Sequence, residues 1–307
     1  RPPASRRAPV HSGDTLGVIV TPAMIGQVIV SGLLAGALYS LVALGLALIF
    51  GVMRVINIAH GTLLMLGAYT TFWWFHWLGW NPYLSLLVSM PLMFLLGLLL
   101  QRLLVRRVVD APELSSLLVT FGVSIALVNV AHLTFTSDLR SVEFLTGAYL
   151  VGPIAFSKSR VIAFVVAVGI TLGAYAFLQK TKLGKAIRAT SQSREVAMVC
   201  GINVERIHLF AFGMASALAA AGGSLVAVMV AIQPEMGQVY TFKSFLVIVL
   251  GGAGNYPGAL LGGMLLGLVE QLSSLFLTTQ VSEAVAYILL VLVLLIRPTG
   301  LLGGRAK

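Results

Sequence analysis

The segment Leu86–Leu100, LLVSMPLMFLLGLLL, carries no charged side chain and decides the class of fold. Its apolar residues do not alternate with polar ones, as they would in the ~10-residue strands of a membrane β-barrel. It lies inside the longer uncharged run Val55–Gln101. Since about 20 consecutive apolar residues span a bilayer as a helix, this run predicts membrane-spanning helices.

Comparable uncharged runs recur along the 307 residues: Thr15–Met53, Leu114–Ser137, Val161–Gln179, Ile207–Pro234, Ser244–Val269 and Ala284–Ile296. Charged residues make up only 10% of the chain, whereas a soluble domain has about 25%. The mean hydropathy is +0.98. We therefore predict an all-α fold, a polytopic transmembrane helical bundle with about eight or nine membrane segments, some of them discontinuous. Residues 1–20 are interpreted as a polar N-terminal tail, and residues 21–307 as a single transmembrane domain.

The net charge of +10 does not indicate nucleic-acid binding, because the basic residues collect in the loops between apolar runs. Three basic segments, Arg102–Arg107, Lys180–Arg206 and Arg297–Lys307, are predicted to be cytoplasmic. The polar segment Ser137–Arg160 has no positive excess and is predicted to lie outside. This order places the N-terminal tail outside, although its three arginines argue against that side.

The sequence contains no pattern that favours catalysis or metal binding. Cys200 is the only cysteine, which excludes an internal disulfide and a cysteine zinc site. The glycine-rich segment Gly251–Glu270 lacks the Gly-Lys-Ser/Thr ending of a phosphate-binding loop. We expect no catalytic residue, metal or cofactor in this chain. Glu270 stands out as a carboxylate deep in an apolar segment, where it either faces the bundle or reaches water near a helix end.

The segment Val55–Tyr69, VINIAHGTLLMLGAY, places three polar side chains between apolar halves: Asn57, His60 and Thr62. Polar groups at such a depth are costly and often functional. Two interpretations stay open, namely hydrogen bonding to a kinked backbone and contact with a transported substrate. Metal binding by His60 is not indicated, because no second ligand lies three or four residues away.

Two segments interrupt apolar runs with polar residues and glycine or proline, Gly51–Gly61 and Gln233–Lys243. Paired breaks in the two halves of a transporter indicate its midplane site. We therefore add Gln233 and Glu235 to the candidate substrate path.

The basic segment Lys180–Arg206 contains Glu195-Val196-Ala197-x-x-x-Gly201. Small residues allow close approach to a partner, and glycine allows the chain to turn. This spacing resembles the loop by which bacterial ABC importers contact their ATPase subunits. Valine at 196 replaces the usual alanine.

The chain as a whole resembles the branched-chain amino-acid type of ABC importer permease, over about residues 32–303. The resemblance is carried by these segments: Gly32–Gly51, Arg54–Tyr69, Leu118–Asn129, Gly184–Arg206, Val249–Glu270 and Arg297–Gly300. Among them, the Asn-x-Ala-His-Gly core beginning at Asn57 and the block GGAGNYPG at 251–258 are specific in combination.

The resemblance implies a multi-pass permease of the bacterial inner membrane that is not itself an enzyme. Its partners would be two cytoplasmic ATPase subunits holding ATP and Mg²⁺, a second related permease or a second copy, and a periplasmic substrate-binding protein. The implied ATPase-docking loop contains Gly184, Arg188, Arg194, Glu195, Ala197, Gly201 and Glu205.

The implied substrates are leucine, isoleucine and valine, or similar small amino acids. The same importer type also serves urea, short amides and small carboxylates, so that alternative stays open. A secondary transporter or channel would retain coupling-ion carboxylates in the membrane, for which Glu270 is the single candidate in this sequence. A membrane enzyme would need a clustered catalytic set.

Overall fold

The computed structural model describes residues 21–252, 254–297 and 300, so the predicted tail of residues 1–20 lies outside the described residues. The α-helices are α1 (Pro22–Met53), α2 (His60–Leu78), α3 (Leu86–Leu103), α4 (Glu113–Phe135), α5 (Lys158–Lys180), α6 (Lys182–Gln192), α7 (Arg194–Val199), α8 (Val204–Val226), α9 (Met236–Gly251), α10 (Tyr256–Ser273) and α11 (Thr279–Ile296). Short 3₁₀ turns cover Pro82–Ser85 and Val105–Arg107. The predicted all-α helical bundle is confirmed.

One hairpin is an addition that the sequence did not predict. Strands β1 (Ala148–Val151) and β2 (Ile154–Ser157) pair antiparallel, with Ala148 opposite Ser157. The hairpin lies in the polar segment between α4 and α5. A side chain of α1 joins it to the bundle, since Gln27 Nε2 donates to Ala155 O at 2.7 Å.

Two helices, α1 and α8, form the centre of the bundle and are mostly buried, whereas α3, α4 and α5 expose most of their apolar surface. Small residues permit the close packing of the central helices. A Cβ atom added at Gly36 of α1 would lie 2.8 Å from the Met264 Cα of α10. One added at Gly67 of α2 would lie 2.6 Å from the Ala220 Cα of α8. These glycines are therefore contact points between helices.

The count of membrane segments is lower than the predicted eight or nine when judged by helix length and apolarity. Within the described residues five spans meet that test: α1, Pro82–Arg107, α4, α5 and α8. A sixth is added if α9 and α10, which bend by 117° relative to each other, count as one broken span. The apolar part of α11, Gln280–Ile296, is shorter, and the 19-residue α2 carries Trp and His side chains near its end.

The two predicted helix breaks exist, but the second lies elsewhere than predicted. The first break covers residues 54–59, inside the predicted segment Gly51–Gly61. The second break covers residues 227–235. The predicted segment Gln233–Lys243 is wrong beyond Glu235, because α9 begins at Met236 and contains Lys243. The lysine does not break the helix, because carboxylates of neighbouring helices pair with it.

The basic elements gather at one end of the bundle. Arg106, after α3, pairs with Glu205 of α8 at 2.8 Å between Nη1 and Oε1. Arg194 of α7 pairs with Asp110, which precedes α4. The hairpin lies at the start of α5, whose other end leads into the basic loop. The tryptophan-rich end of α2 contacts Phe135 at the end of α4, and the start of α4 lies at the basic end. Both features are therefore at the end of the bundle opposite the basic end. The positive-inside rule therefore predicts that the basic end faces the cytoplasm.

This orientation makes a labelling prediction. The native Cys200 is exposed at the basic end and is expected to react with a membrane-impermeant thiol reagent only from the cytoplasmic side. A Cys200→Ser, Ala155→Cys double variant is expected to react only from the opposite side, because the 23-residue helix α5 separates the hairpin from the basic end. Reaction of both thiols from one side in intact cells and inverted vesicles would contradict this topology.

Candidate functional site

The first break returns the chain from the basic end into the bundle. Helix α1 closes with Arg54 N donating to Phe50 O at 2.9 Å, and Arg54 adopts a left-handed conformation with φ 52°. The chain then reverses, so that His60 Nε2 lies 2.9 Å from Val42 O. Val42 lies about three turns before the end of α1. Residues 54–59 are therefore an irregular segment inside the bundle.

Thr120 of α4 and Asn57 of the segment itself bond the backbone of this irregular segment. Thr120 Oγ1 accepts from Ile58 N at 3.2 Å and lies 2.9 Å from Ile56 O, to which it donates. Asn57 bonds within the segment, since its Oδ1 accepts from Ala59 N at 3.1 Å. Such pairing is required because water is excluded at this depth and an unpaired buried peptide group is costly.

The second break meets the first. The beginning of α2 packs on the beginning of α9 so tightly that a Cβ atom on either Gly61 or Gly237 would overlap the backbone oxygen of the other. Thr241, one turn further along α9, bonds across this contact. Its Oγ1 accepts from Gly61 N at 2.9 Å and lies 3.1 Å from Gly237 O, to which it donates. The two interruptions thus form one site, which we call the crossing of α2 and α9.

The five predicted substrate-path residues fall into two groups around this crossing. Asn57, His60 and Thr62 are buried, and Thr62 Oγ1 lies 2.7 Å from Ser124 Oγ of α4. Gln233 and Glu235 are exposed in the second break, where Glu235 Oε1 lies 2.6 Å from His132 Nε2. The structure therefore brings the two breaks together but does not bring all five side chains into one pocket.

His60 is completely buried and its hydrogen bonding defines its tautomer. Because Val42 O can only accept, Nε2 carries the hydrogen and donates. Its Nδ1 has no hydrogen-bond partner among the described residues, and the same holds for Asn57 Nδ2. Two polar atoms of the predicted path are thus left with unused hydrogen-bonding capacity inside the bundle.

A charged cluster begins two residues beyond Thr241 on α9, and sequence reasoning missed most of it. Lys243 Nζ of α9 lies 2.7 Å from Glu270 Oε1 of α10 and 3.4 Å from Glu283 Oε1 of α11. The same nitrogen donates to Tyr39 OH of α1 at 3.1 Å. Of the two alternatives for Glu270, the structure selects the one in which it faces the bundle. The missed signal was the pair of opposite charges at the two ends of the uncharged run Ser244–Val269, which favours pairing inside a membrane.

The predicted docking loop is a pair of short helices at the basic end. Thr181 caps α6, its Oγ1 accepting from Gly184 N at 2.9 Å. Gly184 is buried against the end of α5, where a Cβ atom would overlap Phe177 O. The side chain of Arg188 lies beside the same end, with Nη2 3.5 Å from Gln179 O. These contacts fix α6 to α5.

The spacing of Ala197 and Gly201 has a specific geometric cause. Gly201 adopts φ +78°, and its N–H donates to Met198 O at 2.9 Å, while Ile202 N donates to Ala197 O at 3.0 Å. This pair of bonds is the Schellman motif that ends a helix, with glycine in the left-handed position. Ala197 itself is buried. The motif thus turns the chain sharply from α7 toward α8.

Two predicted docking residues make ion pairs within the chain. Arg194 and Glu205 pair with Asp110 and Arg106, and the hydrogen bond from Arg194 lowers the pKa of Asp110. Glu195, in contrast, is exposed in the first turn of α7. The Arg194 pair holds the start of α7, and the Glu205 pair holds the start of α8, against the segment between α3 and α4.

Helix α7 also exposes apolar side chains outside the membrane-spanning helices. The exposed fractions are 62% for Val196, 50% for Met198 and 89% for Val199. Exposed apolar side chains on a short helix are available for contact with another protein. We call these three side chains the α7 apolar face; the sequence pattern included Val196 but not Met198 or Val199.

Comparisons with known proteins match most of the chain to one family. The family described as "Branched-chain amino acid transport system / permease component" matches residues 28–294. The chain is 32% identical to the high-affinity branched-chain amino acid transport system permease protein LivH of Escherichia coli (strain K12), over 90% of this chain and 95% of LivH. It is equally similar, with the same coverage, to the permease protein BraD of Pseudomonas aeruginosa.

A more distant relative, the probable branched-chain amino acid transport permease protein LivH of Methanocaldococcus jannaschii, is 28% identical over 91% of each chain. No solved structure matches. The match extends over nearly the full described bundle and agrees with the resemblance carried by the motifs that begin at Asn57 and Gly251. The chain therefore belongs to the family of permease components of branched-chain amino acid transport systems.

Proposed function

We propose that this protein is the membrane-spanning permease subunit of a binding-protein-dependent ABC importer that carries leucine, isoleucine and valine across the bacterial inner membrane. The observation that supports this most directly is the α7 apolar face, an exposed contact surface at the basic end of a bundle whose relatives are transport permeases. A channel or secondary transporter does not need such a surface.

The proposed complex contains three kinds of partner around this chain. Two ATPase subunits bind ATP and Mg²⁺ and contact the α7 apolar face from the cytoplasm. A related permease, or a second copy of this chain, completes the translocation path. A periplasmic binding protein delivers the substrate at the opposite end.

Movement of the ATPases would reach the bundle through α6 and α7. Helix α6 is fixed to α5 through Gly184, and the turn after α7 leads directly into the central helix α8. The ion pairs of Arg194 and Glu205 link the same loop to the segment between α3 and α4. A push on α7 is therefore applied to several helices together, as alternating access by rigid-body motion requires.

The proposed substrate path follows the crossing of α2 and α9. Gln233 and Glu235 are exposed at its outer side, whereas Asn57, His60 and Thr62 are buried in its wall. Irregular backbone inside a membrane is tolerated where protein or a water-filled cavity satisfies its polar groups. Asn57 bonds the irregular backbone, His60 ties α2 to α1, and Thr62 ties α2 to α4. Gln233 and Glu235 are exposed, the latter paired with His132, and are placed to meet the substrate.

The alternative substrates of this importer type are urea, short amides and small carboxylates. The names of the relatives favour amino acids. Uptake assays with the reconstituted complex and its binding protein separate these classes, because uptake of leucine but not urea supports the proposal and the reverse result contradicts it.

Replacement of His60 tests whether this side chain stabilises the wall of the path or contacts the substrate. His60→Ala removes the buried bond to Val42 O and is expected to lower the free energy of unfolding by about 1–3 kcal/mol. Transport per folded complex is expected to stay unchanged. The matched control is His76→Ala on the same helix, where the side chain is exposed and little change in stability is expected. A variant of normal melting temperature with reduced transport would instead place His60 in contact with the substrate.

Replacement of Val199 tests the docking surface. Val199→Asp places a charge on a side chain that is 89% exposed, so the stability of the permease is expected to change by less than about 0.5 kcal/mol. Co-purification of the ATPase subunits and ATP-driven uptake are expected to fall together, because the apolar contact would have to bury the new charge.

The matched control is Val199→Leu, which keeps the apolar surface and is expected to retain both activities. Full assembly and uptake in the aspartate variant would exclude the α7 apolar face as the contact with the ATPase.

A further inference from the structure

The cluster of Lys243, Glu270, Glu283 and Tyr39 joins four helices, α9, α10, α11 and α1. Lys243 and Glu270 are each only 8% exposed. The Lys243 ammonium also lies over the Tyr39 ring, 4.9 Å from its centroid. The hydroxyl and the ring of Tyr39 therefore both stabilise the positive charge of Lys243. The proposed docking surface and the five predicted substrate-path residues include none of these side chains.

The charges of the cluster do not balance. One ammonium group faces two carboxylates, which leaves one negative charge when both are ionised. A net charge in a bundle of low dielectric is costly unless a counter-charge is close. Glu270 also keeps a free acceptor, because its Oε2 is buried and has no hydrogen-bond partner among the described residues. The cluster therefore has the charge and the acceptor for one further cation.

The position of the cluster makes it accessible from the side opposite the ATPase-docking loop. Glu270 lies one turn before the end of α10, and Glu283 lies in the second turn of α11, so both flank the connection between these helices. The Glu283 side chain is 36% exposed, in contrast to its two buried partners. A cation arriving from the outer side meets Glu283 first.

We propose that this cluster is a cation site that recognises the primary ammonium group of the transported substrate. The proposal rests on the proposed function and narrows its substrate class. Glu283 is the accessible carboxylate, Glu270 is the buried one, and Lys243 holds Glu270 in place. A substrate with an α-ammonium group brings a positive charge to these carboxylates, while its own α-carboxylate stays outside the cluster. A small carboxylate without an amino group would add a second unpaired negative charge and is disfavoured.

The test uses the complete importer in proteoliposomes, with its binding protein and ATPases, and leucine as the probe. Glu283→Gln keeps the size of the side chain and removes its charge. Loss of a hydrogen bond to a charged group is expected to reduce leucine uptake at subsaturating concentration by about tenfold or more. Basal ATP hydrolysis and subunit assembly are expected to stay at the wild-type level. Glu283→Asp, which keeps the charge, is expected to recover most of the uptake.

Two controls separate an ammonium site from a general effect of lost negative charge and from a site for an inorganic cation. Glu143→Gln removes an exposed carboxylate of the segment between α4 and α5 and is expected to leave uptake unchanged. Replacement of external Na⁺ salt by osmotically matched sucrose is also expected to have no effect, because the substrate itself supplies the cation. A requirement for Na⁺ that disappears in Glu283→Gln would assign the site to an inorganic cation and overturn the proposal.

Three further outcomes each decide a different point. Normal uptake by Glu283→Gln would overturn the ammonium site and leave the proposed function intact. Loss of assembly in the same variant would overturn it too, by showing that the cluster is only a structural ion network. If the wild-type complex does not take up leucine but transports urea or a carboxylate, the proposed function itself is contradicted.

Discussion

The crossing of α2 and α9 is the contact on which the rest of the bundle depends. Both helices begin inside the protein, so their first N–H groups have no partner in their own helix and cannot be left unpaired away from water. Thr241 of α9 accepts from Gly61 of α2, and the absence of a Cβ atom at Gly61 and Gly237 lets the two backbones touch. This contact makes two interrupted helices compatible with a membrane interior.

The same helices connect the two ends of the molecule. Helix α9 begins at the crossing, carries Lys243 in its middle and ends beside α10 near the basic end. The predicted docking loop lies at that end, because Gly184 fixes α6 to α5 and the Schellman turn at Gly201 directs the chain into α8. In the proposed mechanism a displacement at α7 is passed to the central helices, and the charged cluster lies on helices that pack against them. The physical link between the proposed ATP-driven motion and the proposed ammonium site is this packing.

The sequence is sufficient for the features that depend on neighbouring residues. Uncharged runs predict the helical bundle, polar residues near Asn57 predict the first break, and the position of Gly201 predicts a turn in the docking loop. It is insufficient where distant residues decide. The second break is predicted too far along the chain because Lys243 looks like an interruption, whereas its ion pair with Glu270 makes it compatible with a helix interior. The predicted path residues divide into buried and exposed groups for the same reason, since burial depends on contacts between helices.

Amide hydrogen exchange at the start of α2 tests the central contact most directly. Thr241→Val keeps the shape of the side chain and removes the hydroxyl that accepts from Gly61 N. With Thr241→Ser, which retains the hydroxyl, as the control, we expect faster exchange at Gly61 in the valine variant and near-normal exchange in the serine variant. Equal protection of Gly61 in the wild-type, serine and valine proteins would contradict the claim that Thr241 secures the crossing of α2 and α9.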